Sequence, residues 1–387
     1  MHAFTIGPRK LACGLAALSA SFLSTGSFAG DAHHAILPSL KTITTIASTV
    51  PGNGDVNPYG MAQVTRTAGN LRAGHILISN FNNAANAQGT GTTIVDVAPD
   101  GSVSVFATLN AASLPGSCPG GVGLTTALVV LQQGWVIVGS LPTSDGTSAT
   151  AQPGCLIVLD SLGNAVETFY GSLINGPWDM TALDGEHSAA LFVTNVLNGT
   201  VAAGGAVVNG GTVTRLNLKV SANDMPVLES ITVIAAGFPQ RTDPAALVLG
   251  PTGVALRTGC AVEGYDCGEH GEGALLYVAD TLSNRIAVID HPLGRTTSAG
   301  TGRTLSAGGS LNAPLGLIVT PRGELLTVNG ADGFITEIAP DGAQVAKRLL
   351  DDNGSPPGGG ALFGLLYDPE RGVYFVDDDS NTMNLLH

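Results

Sequence analysis

This sequence has few basic residues and few helical patterns. Lysine and arginine together number 16 against 30 aspartates and glutamates, and the formal net charge is −14. Such an acidic chain argues against nucleic acid or an anionic membrane as a partner. After residue 29, no segment carries an apolar i, i+3, i+4 stripe over three turns, which argues against amphipathic helices. With 53 glycines and only 12% charged residues, the composition favours an all-β fold with many turns.

Familiar catalytic motifs are also missing. The sequence contains no G-x-S-x-G and no H-E-x-x-H, so neither a nucleophile elbow nor a zincin site is indicated. No C-x-x-C pair occurs, which weakens a structural zinc hypothesis. The sequence therefore assigns no catalytic residue by motif.

The first 29 residues have the order of a secretory signal. Arg9 and Lys10 precede an apolar stretch at residues 11–23, and small residues at 27 and 29 suit a cleavage site. Neither this stretch nor any later one is long enough to span a bilayer as a helix. We expect a periplasmic or secreted protein without an integral membrane segment after cleavage, organised as a signal peptide (1–29), a flexible leader (30–39) and a single domain (40–387).

Four cysteines follow the signal, and an even number in an exported chain indicates two disulfides. Three pairings are possible. We favour Cys118–Cys155, because both are expected on one face of the domain. We also favour Cys260–Cys267, because both lie in one loop on the opposite face.

A repeated pattern defines the architecture. The stretch LLYVADTLSNRIAVID (residues 275–290) has an apolar run that stops at a polar residue, a turn, and a second strand. Similar stretches begin near residues 74, 134, 190, 324 and 372. We expect the apolar run to be packed on both faces and the following strand to alternate.

Each stretch is preceded by an apolar segment that opens on Pro-x-Gly or a remnant of it, at intervals of 48 to 74 residues. Several short strands repeated at this period predict a β-propeller, here with six four-stranded antiparallel blades. The six signatures are Pro58-Tyr59-Gly60, Gly121-Val122-Gly123, Pro177-Trp178-Asp179, Pro251-Thr252-Gly253, Pro314-Leu315-Gly316 and Leu362-Phe363-Gly364.

The last repeat lacks its outer strand, whereas a β-type segment at residues 40–49 belongs to no repeat. We expect this N-terminal strand to complete the sixth blade. The pairing closes the ring and removes exposed sheet edges.

The segment from Pro251 to Asp290, with Pro-x-Gly, LYVAD and NRIAVID, resembles the NHL repeat. The resemblance spans most of the mature chain and implies a six-bladed propeller. Proteins of this kind include binding modules, lyases and hydrolases, so the resemblance implies a choice of functions rather than one.

Antiparallel pairing brings the start of each inner strand and the end of the second strand to one face of the disc. That face also carries the longest loops, and we call it the loop-rich face. It is the predicted ligand-binding surface. Its candidate residues are Asn57, Asn80, Asn175, Trp178, Asp179, Asn195, Asp280, Asn312, Asn329 and Asp377.

Gluconolactonase-type and senescence-marker-type propellers hold a divalent ion in the channel with a carboxylate, asparagines and an aspartate. This chain is similar in having Asn175, Asp179 and Asn312 near inner-strand starts, and it differs in lacking a glutamate near the first one. Oxygen ligands suit calcium. The resemblance therefore implies at most one Ca²⁺ in the channel, bound by these three residues.

Two functions follow. The first is a binding scaffold that presents the loop-rich face to a protein, glycan or small molecule. The alternative is a metal-dependent lactonase or other hydrolase, or a lyase, with its site at the channel mouth. The sequence favours the scaffold, because it yields no coherent set of base and metal ligands.

Overall fold

The computed structural model describes residues 35–258 and 273–387, which form 25 strands and three short 3₁₀ helices in six antiparallel sheets. The predicted six-bladed β-propeller is confirmed. The predicted signal peptide and the Cys260–Cys267 pair lie outside the described residues. Within those residues, no helix is long and apolar enough to cross a bilayer.

The strands of each blade follow one another from the channel outward. Before the first blade, the chain forms β1 (Ile43–Ser48). The first blade contains β2 (Val56–Gln63), β3 (Ile76–Asn82), β4 (Thr93–Val97) and β5 (Val103–Thr108). The second contains β6 (Leu124–Val130), β7 (Val136–Ser140), β8 (Cys155–Leu159) and β9 (Ala165–Phe169). The third contains β10 (Pro177–Asp184), β11 (Ser188–Asn195), β12 (Val208–Lys219), β13 (Val227–Asp243) and a fifth strand, β14 (Leu247–Leu249).

The remaining blades have four strands each. The fourth blade contains β15 (Pro251–Arg257), β16 (Leu275–Asp280), β17 (Arg285–Asp290) and β18 (Arg303–Ala307). The fifth contains β19 (Pro314–Val319), β20 (Leu325–Asn329), β21 (Phe334–Ile338) and β22 (Gln344–Leu349). The sixth contains β23 (Leu362–Asp368), β24 (Gly372–Asp377), β25 (Thr382–Leu386) and β1. The 3₁₀ helices are Ala111–Ser113, Ser148–Thr150 and Thr281–Ser283.

Burial explains the apolar runs of the second strands. Every residue of β3, β7, β20 and β24 is buried, because adjacent blades cover both faces of these strands. The third strands β4 and β8 are buried throughout as well, so the predicted alternation at this position is wrong. Alternation appears one strand later, in β22, where the blades diverge and one side faces water.

The N-terminal strand closes the ring as predicted. β1 pairs antiparallel with β25, with Ile43 opposite Leu386 and Ala47 opposite Met383. The pairing continues beyond the strand, since the backbone N–H of Lys41 donates to the carbonyl of His387 at 2.7 Å. The two ends of the described domain therefore share one sheet.

The chain makes ordered contacts before residue 39, which is the predicted end of the flexible leader. Leu37 is buried, with 1% of its surface exposed. The carboxylate of Glu337, itself buried, accepts the backbone N–H groups of Ile36 and Leu37 at 2.7 and 2.9 Å. Leu37 thus packs on the fifth and sixth blades.

Every inner strand has a register shift directly after its opening residues. In the second blade Leu124 pairs with Ser140 at the end of the second strand, as the first residue of the signature does in the other blades. The register shift that follows spans one residue more than elsewhere. The signature predicted at Gly121-Val122-Gly123 is therefore three residues too early. Glycine at the third position lets adjacent inner strands approach closely, since a Cβ on Gly316 would lie 1.9 Å from the carbonyl oxygen of Phe363.

The predicted Cys118–Cys155 disulfide is confirmed, with the two Cα atoms 5.2 Å apart. It joins the segment before β6 to the start of β8. Because the two cysteines are 37 residues apart in sequence, the bond restricts a long loop in the unfolded chain.

Replacing both cysteines by serine should lower the free energy of unfolding by about 3–4 kcal/mol, the loop-closure effect expected for this separation. Urea unfolding of the wild type and C118S/C155S under oxidising conditions measures the difference. The comparison variant is C260S/C267S, whose predicted bridge closes a much shorter loop and should cost less. Equal unfolding midpoints for the wild type and C118S/C155S would contradict the expectation.

Candidate functional site

The channel mouth on the loop-rich face is filled by aromatic side chains. Tyr59 lies between Phe81 and Phe363, with ring centroids 4.4 and 4.0 Å away, and Trp178 lies 6.5 Å from Phe363. All four are buried. Three of them occupy the middle position of the Pro-x-Gly signature in different blades, so the propeller brings them together at one end of the channel. We call this group the aromatic plug.

A hairpin of the third blade packs against the plug. Leu247 and Val248 of β14 are each 1% exposed and belong to the same apolar cluster as Tyr59 and Trp178. The hairpin also reaches the first blade, where the side-chain amide of Gln88 donates to the carbonyls of Pro244 and Ala245 at 3.2 and 3.1 Å. Aromatic and aliphatic side chains of the protein therefore fill the channel mouth at the centre of the predicted ligand-binding face.

Several of the predicted rim residues anchor turns. Asn80 donates from Nδ2 to the carbonyl of Thr49 at 3.0 Å, and Asn329 donates to the carbonyl of Ser310 at 2.9 Å. Asp280 forms an ion pair with Arg285 at 2.9 Å. These residues lie at separate blades, and each is held by its own neighbours.

The other rim residues are similarly held. Asn57 has a left-handed backbone with φ of 63°, and its N–H donates to Oδ1 of Asn381 at 2.7 Å. Asp377 accepts the N–H of Ser380 at 3.1 Å. Asn195 is fully buried within the third blade.

The three predicted calcium ligands have different surroundings. Nδ2 of Asn175 donates to Oδ1 of Asn198 at 2.6 Å, and Nδ2 of Asn312 donates to Asp332 at 2.7 Å on an exposed loop. Of the three, only Asp179 lines the channel cavity. Within residues 35–258 and 273–387, no three histidine, cysteine or acidic side chains converge on a metal-sized site. A calcium ion needs six to eight oxygen ligands, and Asp179 is the one predicted ligand placed at the cavity, so the calcium site stays a prediction.

Below the aromatic plug, the channel contains a cavity of about 680 Å³. Its walls are the six inner strands, and it extends towards the face opposite the loop-rich face, which we call the turn face. From Asp179 to Asp184 the wall of β10 runs about 16 Å, at the usual rise per strand residue. The inner end is lined by Met61, Thr126, Asp179, Val254, Gly316 and Gly364, and the outer end by Thr65, Leu131, Asp184, Thr258, Pro321 and Pro369.

Asp179 replaces the glycine of the signature in the third blade. Its Oδ2 accepts the N–H of Val254 in the next blade at 2.9 Å. Its own N–H donates to Oγ1 of Thr194 at 3.0 Å, and that hydroxyl donates in turn to the carbonyl of Thr252 at 2.8 Å. The carboxylate is therefore fixed between two blades at the inner end of the cavity.

The surroundings of Asp179 favour its protonated form. Burial raises the pKa of Asp179 to about 7, against the opposing effect of hydrogen bonds from the N–H groups of Val254 and Met180. The low polarity around the group disfavours the charged state more than these donors stabilise it. The carboxyl group can therefore gain or lose a proton near neutral pH.

Sequence reasoning missed Thr126, which lines the same inner end. Thr126 is 5% exposed, and its Oγ1 has no hydrogen-bond partner among the described residues. A buried hydroxyl without a partner is uncommon in proteins and can serve a ligand. The signal was available in the strand LTTALVV, which has two threonines near its start, but the misplaced signature in the second blade concealed it.

Solved structures of gluconolactonases share this fold. A gluconolactonase from Xanthomonas campestris superimposes with a TM-score of 0.51 at 15% identity, over 89% of this chain and 88% of that chain. A second protein, assigned as a gluconolactonase, gives 0.51 at 15% identity over 90% and 93%. At such low identity the likeness establishes the fold alone. No protein-family model and no curated protein matches the chain, so the NHL resemblance stays a prediction.

The raised pKa of Asp179 predicts a pH-dependent stability. In the unfolded chain Asp179 regains its usual pKa of 3.8, so the folded protein binds this proton more tightly than the unfolded chain does. The resulting contribution to the free energy of unfolding is present at pH 4 and is lost as pH rises through about 7. D179N removes this loss while its amide oxygen can still accept the N–H of Val254. D179N should match the wild type at pH 4 and exceed it by about 2–4 kcal/mol at pH 8.

Urea unfolding at pH 4, 6 and 8 measures this difference. Asp378, whose pKa is also raised to about 7 by burial, titrates in both proteins and leaves the difference unaffected. Parallel pH profiles for the wild type and D179N would show that Asp179 ionises normally in the folded protein.

Proposed function

We propose that the protein hydrolyses esters or lactones of small organic molecules in the channel cavity, with Asp179 as general base. One observation carries the proposal: a fixed carboxyl group with a pKa near 7 lies at the inner end of a cavity of about 680 Å³. A pKa near the working pH suits proton transfer in both directions. The cavity volume is in the range of small-molecule sites.

The reaction needs two groups at the inner end. Asp179 takes a proton from a water molecule, and the oxygen of that water forms a bond to the carbonyl carbon of the ester. The hydroxyl of Thr126 can donate a hydrogen bond to the carbonyl oxygen as negative charge develops on it. When the carbon–oxygen bond to the alcohol breaks, Asp179 returns the proton to the leaving oxygen. The products are a carboxylic acid and an alcohol.

The gluconolactonase names of the two fold neighbours support the choice of lactones as first substrates. This support is secondary, because a propeller serves many functions and function depends on the site.

The binding scaffold is a second candidate, and a surface feature of the third blade favours it. Met225 and Val227 are 50% and 56% exposed and line a groove of about 700 Å³ together with Phe169. Exposed apolar side chains beside a groove are typical of binding surfaces. A protein or glycan partner would bind there rather than at the closed channel mouth.

We also propose that the protein is exported to the periplasm or secreted. The Cys118–Cys155 disulfide supports an oxidising compartment, as does the predicted signal peptide. Mass spectrometry of the N-terminus after expression in a secreting host tests cleavage after residue 29.

Hydrolysis of a panel of aliphatic lactones and p-nitrophenyl esters tests the enzymatic proposal. D179N should lower kcat/KM by at least about 100-fold, the usual contribution of general base catalysis. T126V should lower it by about 10- to 100-fold, through loss of one donor to the carbonyl oxygen. For the wild type, kcat/KM should rise with pH through about 7, because the base must be ionised.

The matched control is D341N, which makes the same chemical change at an exposed turn and should retain full activity. Full activity in D179N would overturn the proposed function. An absence of hydrolysis by the wild type across the panel would favour the scaffold.

A further inference from the structure

The outer end of the cavity carries two charged side chains of opposite sign. Arg257 ends β15, and Asp184 ends β10 in the neighbouring blade; both line the cavity. The four ion pairs among the described residues involve neither of them, so the two charges do not neutralise each other. Among the described residues that line this cavity, Arg257 is the only basic one.

The fold holds Arg257 against the next blade. A Cβ on Gly323 would lie 2.9 Å from Cζ of Arg257, so the guanidinium lies directly against this turn between β19 and β20. Gly323 has a φ of +93°, which independently favours glycine. The arginine is therefore positioned across the gap between two blades before a ligand arrives, which suits recognition of a planar anion.

Asp184 is fixed in a different way. Its Oδ2 accepts the N–H of Gln132 at 2.6 Å, from a turn of the second blade. Held there, Asp184 adds negative charge beside the entrance when it is ionised, and Asp179 adds more at the inner end above about pH 7. A ligand with two negative charges would meet repulsion at one of these acids, whereas a single negative charge can be placed at Arg257.

Apolar side chains line part of the wall between the charged ends. Leu128, Leu317 and Leu365 line the cavity and are nearly buried. Val254, which anchors Asp179, and Arg257 are three residues apart on β15, a distance of about 10 Å along the strand. The cavity thus presents a base, an apolar section and a cation in order along the channel.

We propose that Arg257 determines specificity, by binding the carboxylate of a substrate whose ester group lies at Asp179. The inference rests on the proposed function and gives the substrate class: an ester or lactone with an apolar spacer and one terminal carboxylate. Two charge-assisted hydrogen bonds to a carboxylate would give the acid a clear advantage over its neutral analogue.

Matched substrates test the inference: the mono-p-nitrophenyl ester of suberic acid and the corresponding mixed p-nitrophenyl methyl diester. In the wild type, kcat/KM should favour the acid by about 10- to 100-fold, mostly through KM. In R257Q the ratio should fall towards one, and R257K should keep part of it. R303Q, on an exposed strand of the same blade, should retain the wild-type ratio. A wild-type ratio near one, or an unchanged ratio in R257Q, would overturn the inference.

A binding assay separates this inference from the hydrolase proposal. Titration calorimetry with 4-phenylbutyrate, which has a carboxylate and no ester, should show binding to the wild type and D179N and at least 10-fold weaker binding to R257Q. 4-Phenylbutanol should bind weakly to all three. Binding of this kind without any ester hydrolysis would sustain Arg257 as the anion site and reject the hydrolase. Equal binding of 4-phenylbutyrate by the wild type and R257Q would reject Arg257.

Discussion

The backbone pairing of β1 with β25 is the interaction on which the rest of this propeller depends. It joins residues from opposite ends of the domain, such as Ala47 and Met383, in one sheet. Without it the sixth blade would keep three strands and an exposed edge. Ring closure also fixes the distance across the channel, because each inner strand packs on the next. The aromatic plug and the carboxylate of Asp179 are properties of the closed ring and not of any one blade.

The fold was predictable because its signal is repeated. Six apolar runs that stop at Asn, Asp or Ser and resume after a turn indicate blades even where single repeats have diverged, and the unassigned N-terminal strand indicates how the ring closes. Alternation in the third strands was predicted wrongly, since the sequence does not show how far out neighbouring blades stay in contact. That distance depends on the packing of whole blades, as the full burial of β4 and β8 shows.

The site was less accessible to sequence reasoning. Asp179 could be identified because it lies near the start of an inner strand, and the structure places it in the channel. The plug could not be foreseen, because Tyr59, Trp178 and Phe363 come from three blades and each resembles an ordinary apolar residue in its own repeat. Thr126 was missed because the second blade lost its proline and gained a residue, which moved the apparent signature. Contacts between residues of different blades leave no pattern within a single repeat of the sequence.

The aromatic plug determines how a small molecule can enter and leave the channel. A propeller channel open at both faces can admit a compound at one side and discharge it at the other. Here the stacked rings of Tyr59, Phe81 and Phe363 block one exit, so the cavity is a blind pocket. Whatever enters from the turn face must leave by the same route, and a bound molecule has to depart before the next one can take its place.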